Sequence, residues 1–424
     1  MHCRPASLLL TLGAAAFLPL ALSRADELPT AVPESVGMSS AKLAEVDHIV
    51  GDLIAQKKLA GATVAIASQG KVVYFKAFGE ADIESHQPMK EDTLFRIYSM
   101  SKAISTVAAL MLYEEGKISL DDPVSKYIPS FRDLKVDTGS GPRPPLREAT
   151  IRDLMRHTAG FSYGAGDTPA AKKFRDEHVL DRNEDLQAMA AKLSHVPLKY
   201  DPGTRWLYSA AVDVLGRVVE VASGQTFDAF LQKRIFTPLD LNDTGFAVAE
   251  GQGARLASVY HPDGKGGLAV SDAGAKSPFL KKPALFSGGG GLVSSTRDYM
   301  RFLVMIQNGG ELDGKRYLKP ETVALMTHNQ LPQEVMPIAL GTQKRFGVGF
   351  GLGFSVRVEA SPQWDADAPV GEYGWGGAAS SHYWVSPKHD LVVVTMEQTM
   401  PYSFLLEWKL KGPIYQAIHG HVRD

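Results

Sequence analysis

The chain has 424 residues, 44% of them hydrophobic and 22% charged, with a formal net charge of −2. That is a globular balance with chain enough for a sizeable core. No basic run stands out, which argues against nucleic acid as a partner, and the single cysteine, Cys3, leaves no disulfide framework or Cys-ligated metal to expect.

Arg4 and the apolar stretch from Leu8 to Leu22, followed by small residues, read as a secretory signal spanning 1–25, with cleavage after Ser23 or Ala25. The stretch is short for a membrane span. A periplasmic or secreted location follows as an expectation, and no later run is long and apolar enough to span a bilayer. Next, Leu43, Val46, Ile49, Leu53 and Ile54 repeat at helical spacing, with Ser39 or Ser40 as N-cap. Thr63 to Ala67 and Val72 to Phe78 read as a β-hairpin turning at Gln69-Gly70. The apolar run Ala103 to Glu115 has no Gly or Pro and reads as a helix ended by Gly116.

From about Ser130 to Phe286 Pro and Gly clusters alternate with helical runs, such as Asp185 to Leu193 and Val212 to Ala222. Phe346 to Phe354 alternates apolar residues with glycines, which predicts a strand with one bare face approached closely by other backbone. His382 to Val385 and Leu391 to Met396 read as a further hairpin around Pro387-Lys388-His389-Asp390. A helix from about Phe404 to Ile418 closes the chain, interrupted at Gly412-Pro413. The order predicts an α+β fold: a discontinuous sheet domain (26–130 and 287–424) with an inserted, mainly helical domain (131–286). His419 and His421 read as a terminal tail.

Ser-x-x-Lys occurs three times. Ser39–Lys42 is explained by N-capping and Ser68–Lys71 straddles a hairpin turn. Only Ser99-Met100-Ser101-Lys102 puts a hydroxyl at a helix start with an amine one turn in, on the same face. A hydroxyl beside a primary amine suits acyl transfer through a serine ester. The rival is Gly160-Phe161-Ser162-Tyr163-Gly164, which matches Gly-x-Ser-x-Gly. It lacks the preceding strand and following helix that a nucleophile elbow needs, and His157 precedes Ser162 against the usual order. Further on, Tyr208-Ser209-Ala210 offers a proton-transferring phenol. Trp375-Gly376-Gly377-Ala378 offers a strand edge that a substrate carbonyl can approach.

Together these pieces resemble the serine β-lactamase and penicillin-binding protein superfamily, most closely the β-lactamase-like family VIII carboxylesterases. Ser99 to Lys102 looks like the first motif, Tyr208 like the second, and Trp375-Gly376-Gly377 like the esterase version of the third. Leu94-Phe95-Arg96-Ile97, Leu120 to Val124, His157-Thr158-Ala159-Gly160 and Ser287 to Ser294 also resemble the family, across nearly all of the mature chain. The resemblance implies an antiparallel sheet flanked by helices, an all-helical domain, and a site between them. It implies Ser99 as nucleophile, Lys102 and Tyr208 as general base and acid, the backbone N–H groups of Ser99 and Ala378 as oxyanion hole, and Trp375, Gly376 and Gly377 against the substrate. No metal or cofactor is called for.

Two positions depart from the family pattern. Ala210 stands where the second motif usually carries Asn, and Trp-Gly-Gly stands for Lys-Thr-Gly, so a carboxylate-pairing cation is missing. A charge-assisted hydrogen bond contributes about 1.5–3 kcal/mol, about one to two powers of ten in preference. Neutral esters are therefore expected over β-lactams, and Trp375 as an apolar wall, in a site crowded by the helical domain, is expected to favour short acyl chains. The competing functions are a β-lactamase or DD-peptidase, a transacylase in which an alcohol replaces water, and a non-catalytic binding protein. Loop Gly164 to Asp181 and segment Leu331 to Arg345 are candidates to line the entrance.

Overall fold

A computed structural model describes residues 27–419; the signal-peptide reading, Cys3 and His421 lie outside them. Strands β1 (Gly61–Ser68), β2 (Lys71–Asp82) and β3 (Gln87–Pro88) come early. β4 (Val348–Phe350), β5 (Ser355–Arg357), β6 (Tyr373–Gly376), β7 (His382–Ser386) and β8 (Leu391–Met396) come late. They form one eight-stranded sheet in the order β4-β5-β6-β7-β8-β1-β2-β3, antiparallel throughout. The β1–β8 pairing, with Val64 opposite Thr395, therefore joins the two ends of the chain. The β1–β2 hairpin turns through Gln69 (φ 51°) and Gly70 (φ 72°), two left-handed residues in a row, which matches the right-handed twist of the strands.

Every residue of β1 is buried, so both sheet faces are covered, and the period of two sorts the side chains. Val64, Ile66, Leu391 and Val393 pack with Val46, Val50 and Leu53 of α1 (Glu45–Ala55) and with Leu406, Leu410 and Ile414 of the C-terminal helix. Ala65, Ala67, Val392 and Val394 face the main core. Three of its buried helices matter for the site: α2 (Ser101–Glu114), α3 (Ala211–Ser223) and α4 (Thr296–Gln307). α4 lies against β1 and β8, where Thr63 Oγ1 and Thr296 Oγ1 share a buried hydrogen bond of 2.6 Å. α2 is buried from Ser101 to Leu112, the signature of a helix inside a core, and α3 packs along it. The region 131–286 also holds helices Ile151–Met155 and Leu186–Leu193 and two short hairpins, Val136–Asp137 with Pro142–Arg143 and Val259–Pro262 with Leu268–Asp272. Among the described residues no helix is long and apolar enough to cross a membrane.

Two expected elements differ. Phe346 to Phe354 is not one strand: β4 and β5 are short partners joined by a turn at Gly353 (φ 89°), and Phe346 lies outside the sheet, 45% exposed. The close backbone approach is there nonetheless, because a Cβ on Gly351 would meet Met326 O at 1.9 Å. The C-terminal helix, α5 (Leu405–Gln416), runs unbroken through Pro413. Lys409, four residues before Pro413, lies on the exposed face, while Leu406, Leu410 and Ile414 pin the opposite face. The segment after α5 is tied down too, as His419 N–H donates to Gly37 O at 2.8 Å.

The helix Ile151–Met155 is set by a capping box between Thr150 and Asp153. Asp153 is fully buried and also takes Arg147 at 2.5 Å, Arg156 at 3.0 Å and Thr158 at 2.7 Å. Burial pushes its carboxyl up, but these donors outweigh burial and hold it down at about 2. A depressed carboxyl stabilises the fold above the unfolded range, near pH 4, and that stability is lost as pH falls through the folded value. Between about pH 5 and pH 2 the protein is expected to lose about 2 kcal/mol through this group. Urea midpoints against pH check this: Asp153→Asn should flatten the acid slope, and parallel slopes would contradict the assignment.

Candidate active site

Leu94–Arg96 pairs with Val293–Ser295 just ahead of the first motif, and Ile97 N–H donates to Leu292 O at 3.1 Å. Tyr98 then takes a positive φ of 42°, a strained conformation for an aromatic residue. Tyr98–Met100 forms a single 3₁₀ turn that runs into α2. Ser99 thus sits on the turn before the helix and is partly exposed, whereas Lys102, one turn in, is only 2% exposed. Lys102 Nζ donates to Ser99 Oγ at 3.2 Å and to Gly289 O at 2.5 Å.

The four-glycine run, 288–291, threads between α2 and α3. A Cβ on Gly289 would lie 2.4 Å from Asp213 Oδ2 and 2.7 Å from Tyr163 Oη, so only glycine fits there. Ser105 of α2 donates to Gly288 O at 2.8 Å, and Leu292 N–H donates to Ser101 Oγ at 3.2 Å. The run is therefore the strap that holds the acceptor of Lys102.

Tyr208 lies just before α3, with the Lys102 amine 4.6 Å from its ring centroid. Its hydroxyl accepts from Trp375 Nε1 at 3.2 Å. Aromatic rings surround it: His157 at 4.7 Å, Trp375 at 5.3 Å, Tyr163 at 5.7 Å and Trp206 at 6.0 Å. His157 is buried, and burial together with the Lys102 charge holds its imidazole well below the usual range. It is a neutral ring supporting Tyr208, not a partner of Ser162.

β6 supplies the third piece. Its partner β5 pairs only with Tyr373 and Gly374, so Trp375 and Gly376 run past the end of that partner. Gly377 lies so close to the first motif that a Cβ there would meet Ile97 O at 2.6 Å. The turn continues with Gly377 N–H donating to Ser381 O at 2.7 Å and Ser380 N–H to Gly377 O at 3.0 Å. Arg345, from the segment flagged at the entrance, stacks on the Trp375 ring at 4.6 Å and on Phe404 at 4.9 Å. The other flagged loop contributes Phe174, Arg175 and His178 to a surface cavity of about 540 Å³ that Tyr163 also lines.

The structure brings Ser99, Lys102, Tyr208 and Trp375-Gly376-Gly377 together. It places the other candidates elsewhere: Ser162 is 3% exposed and its Oγ accepts from Gly164 N–H at 2.9 Å, within its own turn. Ser39 accepts from Lys42 N–H as an N-cap, and Ser68 faces Lys71 across the hairpin. Sequence reasoning missed the Trp375 indole as a hydrogen-bond donor to Tyr208, and it missed Gly289 O and Asp213. The glycine run was the available signal for the latter pair, but nothing local says what it leans on.

The beta-lactamase family model matches residues 46–410. Esterase EstB of Burkholderia gladioli is 33% identical over 392 residues, covering 87% of this chain and 93% of that protein. Lovastatin esterase of Penicillium rubens is 32% identical over 360 residues, covering 79% and 87%. EstCE1, described as a hydrolase with promiscuous acyltransferase activity, has a TM-score of 0.75 at 27% identity, covering 88% of this chain and 99% of its own. The chain belongs to the beta-lactamase family. Within it, the relatives named here are esterases and a hydrolase with acyltransferase activity, which makes this a serine-hydrolase scaffold of the esterase kind.

Proposed function

We propose that the protein is a carboxylesterase that cleaves short-chain esters through an acyl-enzyme on Ser99. The observation that carries this is the Lys102 amine within 3.2 Å of the Ser99 hydroxyl, on a partly exposed turn facing the β6 end. Ser99 Oγ attacks the ester carbonyl while its proton passes to the Lys102–Tyr208 pair acting as general base. The N–H groups of Ser99 and Ala378 receive the oxyanion, each such donor being worth about 10²–10³ in rate. Tyr208 then protonates the departing alkoxide and recovers that proton from Lys102; in deacylation the same pair takes a proton from the attacking water and delivers it to Ser99 Oγ as the acid leaves.

The wall of this site favours esters over β-lactams. Trp375 fills the place of a cation, and the Arg345 guanidinium behind it is 4% exposed and stacked on rings. Ala210 is fully buried and begins α3 without a polar side chain. The test is a comparison of p-nitrophenyl butyrate with nitrocefin, joined to labelling by a p-nitrophenyl phosphonate and peptide mass spectrometry. Turnover of the ester with little of the lactam, and the adduct on Ser99, is the expected result. A preference for nitrocefin, or an adduct on Ser162, would overturn it. Adding a short alcohol at saturating ester measures how far an alcohol replaces water, the second reading that EstCE1 brings to mind.

A further inference from the structure

Asp213 sits in the first turn of α3 and is fully buried. A carboxylate buried in this way is costly unless it is well paired, yet its hydrogen bonds run to neutral groups. Its Oδ1 accepts from Ser287 Oγ at 2.5 Å and from Gly289 N–H at 3.0 Å. Its Oδ2 receives Tyr163 Oη at 3.5 Å. Gly289 belongs to the strap and Ser287 immediately precedes it, and the Gly289 carbonyl takes the Lys102 amine at 2.5 Å. Tyr163 also flanks Lys102, with the amine 5.5 Å from its ring.

We propose that Asp213 is a positioning residue for Lys102: by clamping Ser287 and Gly289 it fixes the Gly289 carbonyl, and that carbonyl aims the amine at Ser99. This rests on the reading of Ser99 as nucleophile and Lys102 as base. At the start of α3 Ala210 offers Lys102 no polar side chain, and the Gly289 carbonyl takes the amine. The carboxylate that secures the strap comes from the same helix, three residues further on. Gly289 has no room for a side chain because that carboxylate and Tyr163 already occupy the space.

The full chain is compared with Asp213→Ala and Asp213→Asn. The readouts are the rate of Ser99 phosphonylation, kcat and KM for p-nitrophenyl acetate, and the thermal midpoint. A base shifted by a fraction of an ångström to an ångström costs up to about 10²-fold, so Asp213→Ala should lose about that much in kcat and in phosphonylation rate, with KM little changed. Asp213→Asn keeps an Oδ1 that accepts from both Ser287 and Gly289, so most of the rate should return. Loss in Asp213→Ala that merely follows the unfolded fraction, or equal phosphonylation rates in all three proteins, would overturn the assignment. So would failure of Asp213→Asn to recover while its thermal midpoint stays at the wild-type value. Absence of Ser99 labelling in the wild-type chain would instead reject the acyl-enzyme reading beneath it.

Discussion

Ser99→Ala is expected to lower kcat for p-nitrophenyl esters by about 10⁵–10⁶-fold, the size seen when a catalytic nucleophile is removed and only binding and the oxyanion donors remain. The substitution deletes one oxygen from a partly exposed turn and leaves Lys102 bonded to Gly289 O, so the thermal midpoint should hardly move. The matched control is Ser162→Ala. Its hydroxyl serves only the Gly164 N–H of its own turn, so it should cost about 0.5–1.5 kcal/mol of stability and leave kcat unchanged. Initial rates and thermal melts on the two variants separate the cases. Full turnover by Ser99→Ala would reject the mechanism, whatever the relatives do.

Tyr208→Phe is the second large effect. Loss of a positioned acid or base costs about 10²–10⁴-fold, and here the loss should fall on kcat, since the ring and its aromatic neighbours remain. The indole of Trp375 would also lose its acceptor, and an unsatisfied buried donor costs about 1–3 kcal/mol, so a lowered thermal midpoint should accompany the lost rate. Trp375→Phe separates the two roles of that contact: it removes the donor while keeping the phenol. It should retain far more activity than Tyr208→Phe and change acyl-chain preference. If the two variants lose activity equally, the hydroxyl acts as a bolt for Trp375 and not as a proton carrier. Steady-state rates over a series of p-nitrophenyl esters, from acetate to octanoate, make the comparison.

The first motif was legible because its chemistry is local. Ser99 and Lys102 are one helical turn apart, and helix geometry alone puts a hydroxyl beside an amine. The hairpin at Gln69-Gly70, the β7–β8 hairpin and the helical period of α3 are local in the same sense. Pro413 shows the limit: a proline is a strong local signal to stop, but α5 continues because its apolar face is held against the sheet. Phe346 to Phe354 shows another, since a period of two cannot distinguish one strand from two short ones separated by a glycine turn.

What the sequence by itself determined is the set of chemical groups and their short-range geometry: a hydroxyl and amine on one helix face, a phenol at another helix start, and a glycine-rich strand end. The family resemblance ordered those groups before any coordinates. Only the tertiary structure decided how they meet. Hydrogen bonds and ring contacts act over a few ångströms, but the partners are far apart in the chain. Trp375 reaches Tyr208 across 167 positions, Lys102 reaches Gly289 across 187, and Asp213 reaches Gly289 across 76. Those contacts exist because β1 pairs with β8 and α2 is buried against α3, which brings the early, middle and late parts of the chain to one point.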